Sequence, residues 1–317
     1  FIPLRTTEGY GITKESFERM LAECPDVQTV VTVDNGISAG EEVKLFKEHG
    51  INLIVTDHHE PGDLVPQGVP VCDPKIDPEC PSAILAGVAV ALKVVQVIGS
   101  RFGQPYLWKN FLDFAMLGTI ADLMPMRGEN RALCAAGLDM MHKKMRPCFR
   151  AMFTVANLNM NDFDSNTFAF TINPRLNAAG RVSDPKIALD LLLQDDYDYA
   201  LTCAYDIDEL NTKRKELEKD VREKALTEAQ NIYLGQRALV LAGQDWHDGV
   251  KGIVASRIVE EYGVPVVLFT IEGDQAFGSG RTAGEINLLE AVQSCSQYLE
   301  RFGGHKTAAG IKILVEN

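Results

Sequence analysis

Gln28-Thr29-Val30-Val31-Thr32-Val33-Asp34 and Asn52-Leu53-Ile54-Val55-Thr56-Asp57-His58-His59 decide the fold. Each contains a short apolar run rich in β-branched residues that closes on an aspartate. Such a run, without polar alternation, predicts a strand buried on both faces, as in a parallel sheet. Between them, Ser38-Ala39-Gly40-Glu41 has the spacing of a capping box, and the pattern from Val43 through Phe46 to Gly50 predicts a helix of about three turns. Strand, helix, strand makes a parallel βαβ unit, with Val69-Pro70-Val71-Cys72-Asp73 as a third candidate strand. Ligands of open parallel sheets bind beyond the carboxyl ends of the strands, which is where Asp34 and Asp57 would stand.

Outward from this core, dense apolar residues from Ser82 to Leu123 predict two helices that cover the sheet. A long polar helical pattern follows from Asp195 to Tyr233, with Leu210, Leu217, Val221 and Ala225 on one stripe and Gly235 past its end. Its mixed charges fit a solvated connector. Beyond it, Ala238–Leu241, Val264–Phe269 and Ile311–Leu314 read as strands alternating with helices near 250–261 and 287–301. The fold class is therefore α/β: a parallel-sheet domain over 1–195, a connector helix over 196–233 and a smaller mixed α/β domain over 234–317.

Composition excludes several classes. With 46% hydrophobic and 24% charged residues, the chain of 317 residues is neither disordered nor fibrous. No run approaches the ~18 apolar residues of a membrane span, and no basic segment leads into an apolar one at the start, so a cytoplasmic location without membrane partners is the default. The seven cysteines are odd in number and never spaced C-x-x-C, which argues for reduced thiols. A net charge of −13 speaks against a protein that coats nucleic acid, but suits a site of carboxylate metal ligands.

The chemistry centres on Asp57-His58-His59, one strand away from Asp34 on the same edge. Carboxylates take hard divalent cations, and an added imidazole favours Mn²⁺ over Mg²⁺. Two adjacent histidines alone can equally lie in a loop; their place at a strand end makes them ligand candidates. Asp122 closes the apolar stretch Phe114–Ala121 and, in isolation, would be a helix cap. In the second domain Gly278-Ser279-Gly280-Arg281 offers backbone N–H groups, a hydroxyl and a guanidinium suited to a phosphate, although a glycine-rich turn is the plainer reading. His247 is either a turn residue before a helix or functional.

Seven phrases taken in order resemble one superfamily: Val33–Ser38, Thr56–His59, Gly118–Asp122, Pro174–Arg181, His247–Arg257, Gly278–Arg281 and Phe302–His305. They are similar to the DHH/DHHA1 phosphoesterases, and within them to the RecJ single-stranded-DNA-specific 5′→3′ exonucleases, over nearly the whole chain. The resemblance implies two Mn²⁺ or Mg²⁺ ions that activate a water and hold the scissile phosphate. It makes Asp34 a ligand, bridging the ions, and His58 and Asp122 ligands of one of them. His59 would contact the scissile phosphate and assist the leaving group. Asp57 is either a ligand or the acceptor that fixes the tautomer of His58, the second being favoured. Ser279 and Arg281, with Arg5, would hold the terminal 5′-phosphate. Gly303, Gly304 and His305 would lie along the strand's backbone, and Arg175, Asn177 and Arg181, on a loop, would bind the strand in a cleft.

The resemblance also implies DNA repair and recombination as the setting, with single-strand-binding protein and a helicase as partners. Two departures accompany it. The family's Asp-x-Asp-Gly motif, a source of further metal ligands, has no counterpart here, and the non-methionine Phe1 leads to the expectation that it lies upstream. A terminal oligonucleotide-binding domain is likewise expected beyond Asn317. Alternatives are a DHH/DHHA1 oligoribonuclease or cyclic-dinucleotide phosphodiesterase, and a catalytically incomplete DNA-binding scaffold. The Asn177–Arg181 segment and Leu210-Asn211-x-x-Arg214 look like RecJ, and clustered carboxylates that repel each other without metal speak against a scaffold.

Overall fold

The computed structural model describes residues 1–4, 7–9 and 11–317. They divide into two compact units, residues 1–179 with 184–208 and residues 180–183 with 209–317. Arg5, expected among the phosphate-binding residues, lies outside the described residues.

The first unit begins with α1 (Lys14–Glu23), capped by Thr13, whose hydroxyl accepts from Ser16 N. Then come β1 (Thr29–Val33), α2 (Val43–Glu48), β2 (Asn52–Thr56) and β3 (Val71–Cys72), which pair in parallel in the order β1-β2-β3. Val33 pairs with Thr56, so the two strands end level. Two expectations are corrected here. β1 is the edge strand among the described residues, and Val31 and Val33 are 48% and 50% exposed, so this strand is not buried on both faces. Nor does Ser38 cap α2, which spans under two turns: its N-cap position is Glu42, without a side-chain bond. Gly40 instead packs against the Leu64 backbone, where a Cβ would come within 2.6 Å of the carbonyl oxygen. Gly50, at φ +67°, ends the helical segment as expected.

Helices α3 (Gly87–Arg101) and α4 (Leu112–Ala121) follow, then α5 (Gly128–Lys143) and α6 (Pro147–Val155). Gly118 lets α4 approach α3: a Cβ there would lie 2.6 Å from Val88 Cγ1. The main core of this unit gathers Met116, Phe149, Met152, Phe153, Phe168 and Ile172. At about 25 cal/mol per Å² of apolar surface, such side chains dominate the unit's stability.

The segment carrying Arg175, Asn177 and Arg181 is a helix and not a loop. α7 (Ser165–Thr167), a π turn (Phe168–Ile172) and α8 (Asn173–Val182) follow one another without a break. Pro174 within such a run would ordinarily clash with the carbonyl four residues earlier. A π turn widens the helix there and accommodates it. Ala178 and Ala179 on this helix are fully buried. α9 (Lys186–Leu192) and the long α10 (Tyr197–Ile232) complete the order. Residues Ala200 to Ile207 of α10 belong to the core of the first unit, and Val221 to Ala229 to a core of the second.

The second unit contains β4 (Leu239–Gly243), α11 (Asp248–Tyr262), β5 (Val266–Glu272), β6 (Gln275–Arg281), α12 (Leu288–Gln293), β7 (Leu299–His305) and β8 (Ala308–Leu314). The sheet order is β4-β5-β6-β8-β7, parallel between β4 and β5 and antiparallel elsewhere. Gly278-Ser279-Gly280-Arg281, read above as a turn, is the end of the central strand β6. The glycines are packing requirements: a Cβ at Gly278 would sit 2.6 Å from the Phe269 ring. The helix expected over 287–301 stops at Gln293, and residues from Leu299 enter β7.

Candidate active site

Because β1 and β2 end level, Asp34 and Asp57 leave the sheet side by side. Asp34 adopts φ +66°, a left-handed conformation that aspartate tolerates better than most residues, and its N–H donates to Thr56 O at 3.0 Å. Its carboxylate lies against Gly87 at the start of α3, where a Cβ would overlap Oδ1 and come within 2.7 Å of the aspartate Cβ. A bare backbone is therefore needed at residue 87. Sequence reasoning missed Gly87, since nothing in Ala86-Gly87-Val88 distinguishes it from any helix-starting glycine.

His58 is 5% exposed, and its Nε2 lies 3.1 Å from Asp34 Oδ1 and 3.3 Å from Asp122 Oδ2. Among the described residues neither ring nitrogen has an aligned hydrogen-bond partner. A buried imidazole so placed between two carboxylates has the donor set of a divalent-cation site and is poorly explained as a packing residue. Burial opposes its charge, but Asp34 and Asp122 outweigh burial and raise its pKa above the ordinary value. Asp122 caps the C-terminus of α4, and burial, with Asp34 nearby, pushes its carboxyl up. Ligand atoms of Asp34, His58 and His59 all lie within 4.8 Å of one another.

Asp57, 1% exposed, does not serve His58's ring. Its Oδ1 accepts from His58 N at 2.7 Å, from His59 N at 3.3 Å and from His59 Nδ1 at 2.6 Å, and its Oδ2 accepts from Ile37 N at 2.9 Å. The tautomer it fixes is that of His59, a correction to the expectation above. Burial raises the Asp57 pKa, but these hydrogen bonds overcome it and hold the group below the usual carboxylate range. The same bond, with Asp57's charge, raises the pKa of His59. An anionic acceptor at Nδ1 leaves Nε2 as the nitrogen for chemistry.

A cavity of about 260 Å³ opens at this edge, lined by Asp34, Gly87, Gly118, Asp122 and Asn177 among others. Asn177 thus joins the cluster, whereas Arg175 is engaged elsewhere. Arg175 Nε donates to Asp208 Oδ1 at 2.8 Å and Nη1 to Thr171 O at 2.9 Å.

In the second unit the strand register aligns the remaining candidates. Ser279 pairs with Gly310, which pairs with Gly303; Arg281 pairs with Ala308, which pairs with His305. Directly paired residues share a sheet face, so Ser279, Arg281 and His305 border a floor of Ala308, Gly310 and Gly303. Small residues leave this strip open. Gly304, at φ +151°, could carry no side chain: a Cβ would lie 2.7 Å from Ala309 Cα. Arg181 Nη1 donates to Gly249 O at 3.0 Å. His247 is the N-cap of α11, accepting from Gly249 N, which is the turn reading of that residue. A buried Lys251, unremarked in the sequence, donates to Phe277 O and pairs with Asp248 Oδ1 at 2.5 Å.

Residues 2–119 match the DHH family, N-terminal domain, and residues 235–317 match the DHHA1 domain. The whole chain is 35% identical to the single-stranded-DNA-specific exonuclease RecJ of Bacillus subtilis, covering 40% of that protein. It is 36% identical to the RecJ of Haemophilus influenzae, covering 58% of it. The chain thus spans about half the length of these curated relatives. A solved exonuclease RecJ bound to manganese superposes with a TM-score of 0.83 at 35% identity, over 99% of this chain and 77% of that one. With its strand-end Asp-His-His cluster, both matched domains and this extent of similarity, the chain belongs to the RecJ family of DHH/DHHA1 proteins.

Proposed function

We propose that this chain is the catalytic core of a metal-dependent exonuclease that hydrolyses single-stranded DNA from the 5′ end. The convergence of Asp34 and Asp122, which line one cavity, on His58 Nε2, beside a His59 braced by Asp57, carries this reading. Asp34, His58 and Asp122 would hold the Mn²⁺ or Mg²⁺. The bound cation supplies Lewis acidity toward the phosphoryl oxygens and makes a water ligand more acidic. The ring nitrogens of His58, without an aligned hydrogen-bond partner among the described residues, fit such an occupant, and the bare backbone at Gly87 makes room for the Asp34 carboxylate that would face it.

The chain's own groups do the rest. Ser279 and Arg281 hold the terminal 5′-phosphate, and Gly303, Gly304 and His305 take the backbone that follows. Asn177 reaches the metal cavity, and Arg181 adds a cation for the strand. If each round recognises a 5′-phosphate, the shortened strand must again carry one. The bond broken is then P–O3′, and the departing 3′-oxygen must be protonated. His59, with Nδ1–H tied to Asp57 and a raised pKa, suits hydrogen bonding to the phosphate and proton donation to that oxygen.

The reading extends to repair and recombination of DNA in the cytoplasm, with single-strand-binding protein and a helicase as partners. All seven cysteines are free thiols, as a reducing compartment requires, and no helix among the described residues is long and apolar enough to cross a membrane. The test is a 3′-labelled single strand incubated with Mn²⁺ and the chain, with His59→Ala as control. Progressive shortening from the 5′ end, faster with a 5′-phosphate than a 5′-hydroxyl and lost in the variant, is expected. Tight binding without cleavage under every divalent cation tried would favour a DNA-binding scaffold instead.

A further inference from the structure

The first turns of α11 present two glycines three residues apart, Gly249 and Gly252, both buried, and each faces an arginine. Residues at this spacing lie on one helix face. At Gly249 the neighbour is backbone: a Cβ would come within 2.9 Å of the Arg181 carbonyl carbon. At Gly252 the neighbour is the far end of a side chain. A Cβ there would overlap Arg281 Nη2 and lie 3.0 Å from Cζ. The guanidinium of Arg281 therefore rests on the bare Cα of Gly252, while its Nη1 donates to Gly280 O at 2.7 Å.

The helix is also fixed to the strand that bears this arginine. Lys251, 2% exposed and adjacent to Gly252, reaches from α11 to the carbonyl of Phe277 on β6. Four residues on along β6 stands Arg281. The distance between helix and strand is thus tied beside the glycine, and the absent side chain at 252 decides where the guanidinium comes to rest.

We propose that Gly252 is a positioning residue for 5′-phosphate recognition, setting Arg281 beside Ser279 on the open floor of β6, β8 and β7. This rests on the reading of Ser279 and Arg281 as the 5′-phosphate clamp. A methyl group at 252 would displace a flexible side-chain end and no backbone, so Gly252→Ala should fold. Alanine also has the higher helix propensity, so the melting temperature should match or exceed the wild type's.

The experiment measures binding of 5′-phosphorylated and 5′-hydroxyl oligothymidylate by fluorescence anisotropy, for wild type, Gly252→Ala, Arg281→Ala and the double variant. Binding is read directly, so no cleavage is needed. Charged hydrogen bonds of this kind carry roughly a 10- to 100-fold affinity effect. Expected is a wild-type preference for the phosphate that falls by about tenfold or more in Gly252→Ala, with affinity for the 5′-hydroxyl strand unchanged. The double variant should be no worse than Arg281→Ala. Preference lost in Arg281→Ala but retained in Gly252→Ala overturns the role of Gly252 while leaving the clamp intact. Preference unchanged in Arg281→Ala overturns the clamp itself, and the positioning role with it. A Gly252→Ala protein that loses affinity equally for both strands, or melts well below wild type, assigns the glycine to packing alone.

Discussion

Replacing Asp57 by asparagine keeps the shape of the side chain and changes only its hydrogen-bonding code. The carboxylate is 1% exposed and accepts four hydrogen bonds: three at Oδ1, from His58 N, His59 N and His59 Nδ1, and one at Oδ2, from Ile37 N. An amide offers one acceptor atom and one donor. In the better orientation its NH₂ faces the Ile37 N–H, leaving two buried donors opposed; the other orientation sets the NH₂ against the three donors at Oδ1. Each unsatisfied buried donor costs about 1–3 kcal/mol, so for the two a loss of about 2–6 kcal/mol is expected on urea unfolding. His59 also loses its anionic acceptor, and such orienting partners are worth about 10- to 100-fold in activity. Single-turnover cleavage at saturating Mn²⁺ should fall by that factor or more. A variant with a wild-type unfolding midpoint and an unchanged rate would refute the reasoning that Asp57 braces His59.

Gly87→Ala should push the Asp34 carboxylate by on the order of 1 Å, since the new methyl would overlap it; calorimetric titration should show at least tenfold weaker Mn²⁺ binding with circular dichroism unchanged. Arg175→Met should cost about 1–2 kcal/mol of stability, because it removes an ion pair to Asp208 and a donor to the Thr171 carbonyl. Weakened DNA affinity with full stability would instead return Arg175 to the strand-binding set. Lys251, paired with Asp248, has its pKa lowered below its ordinary 10.5, chiefly by burial. Between the lowered folded pKa and 10.5 the unfolded chain binds more protons, so wild-type stability should rise with pH relative to Lys251→Met across that window. Parallel stability curves from pH 7 to 10.5 would contradict this.

The parallel strands were legible because Thr29–Val33 and Asn52–Thr56 are short runs rich in β-branched residues, and the aspartates that follow them mark the ligand edge. The exposure of Val31 and Val33 was not, since apolar periodicity reports burial only when neighbouring strands are known. In the second unit, Gly278 and Gly280 concealed β6, because glycine signals turns locally while here it makes room for Phe269 and Leu288. Pro174 concealed α8, because the π turn that tolerates it has no signature in sequence. At the site, position at a strand end made Asp34, His58 and His59 candidates, and the family resemblance added Asp122 to them. Neither could assign Asp57 to one of two adjacent rings, since that choice depends on side-chain direction after the strand ends. Gly87 and Gly252 act by what they lack, and their roles emerge only from the neighbours that fill the space.

The most direct test of the account is anomalous diffraction at the manganese edge from crystals soaked in Mn²⁺. The account predicts a peak bound by Asp34, His58 and Asp122, abolished by His58→Ala. Manganese bound elsewhere, with that cluster empty in a protein that still degrades single-stranded DNA, would contradict it.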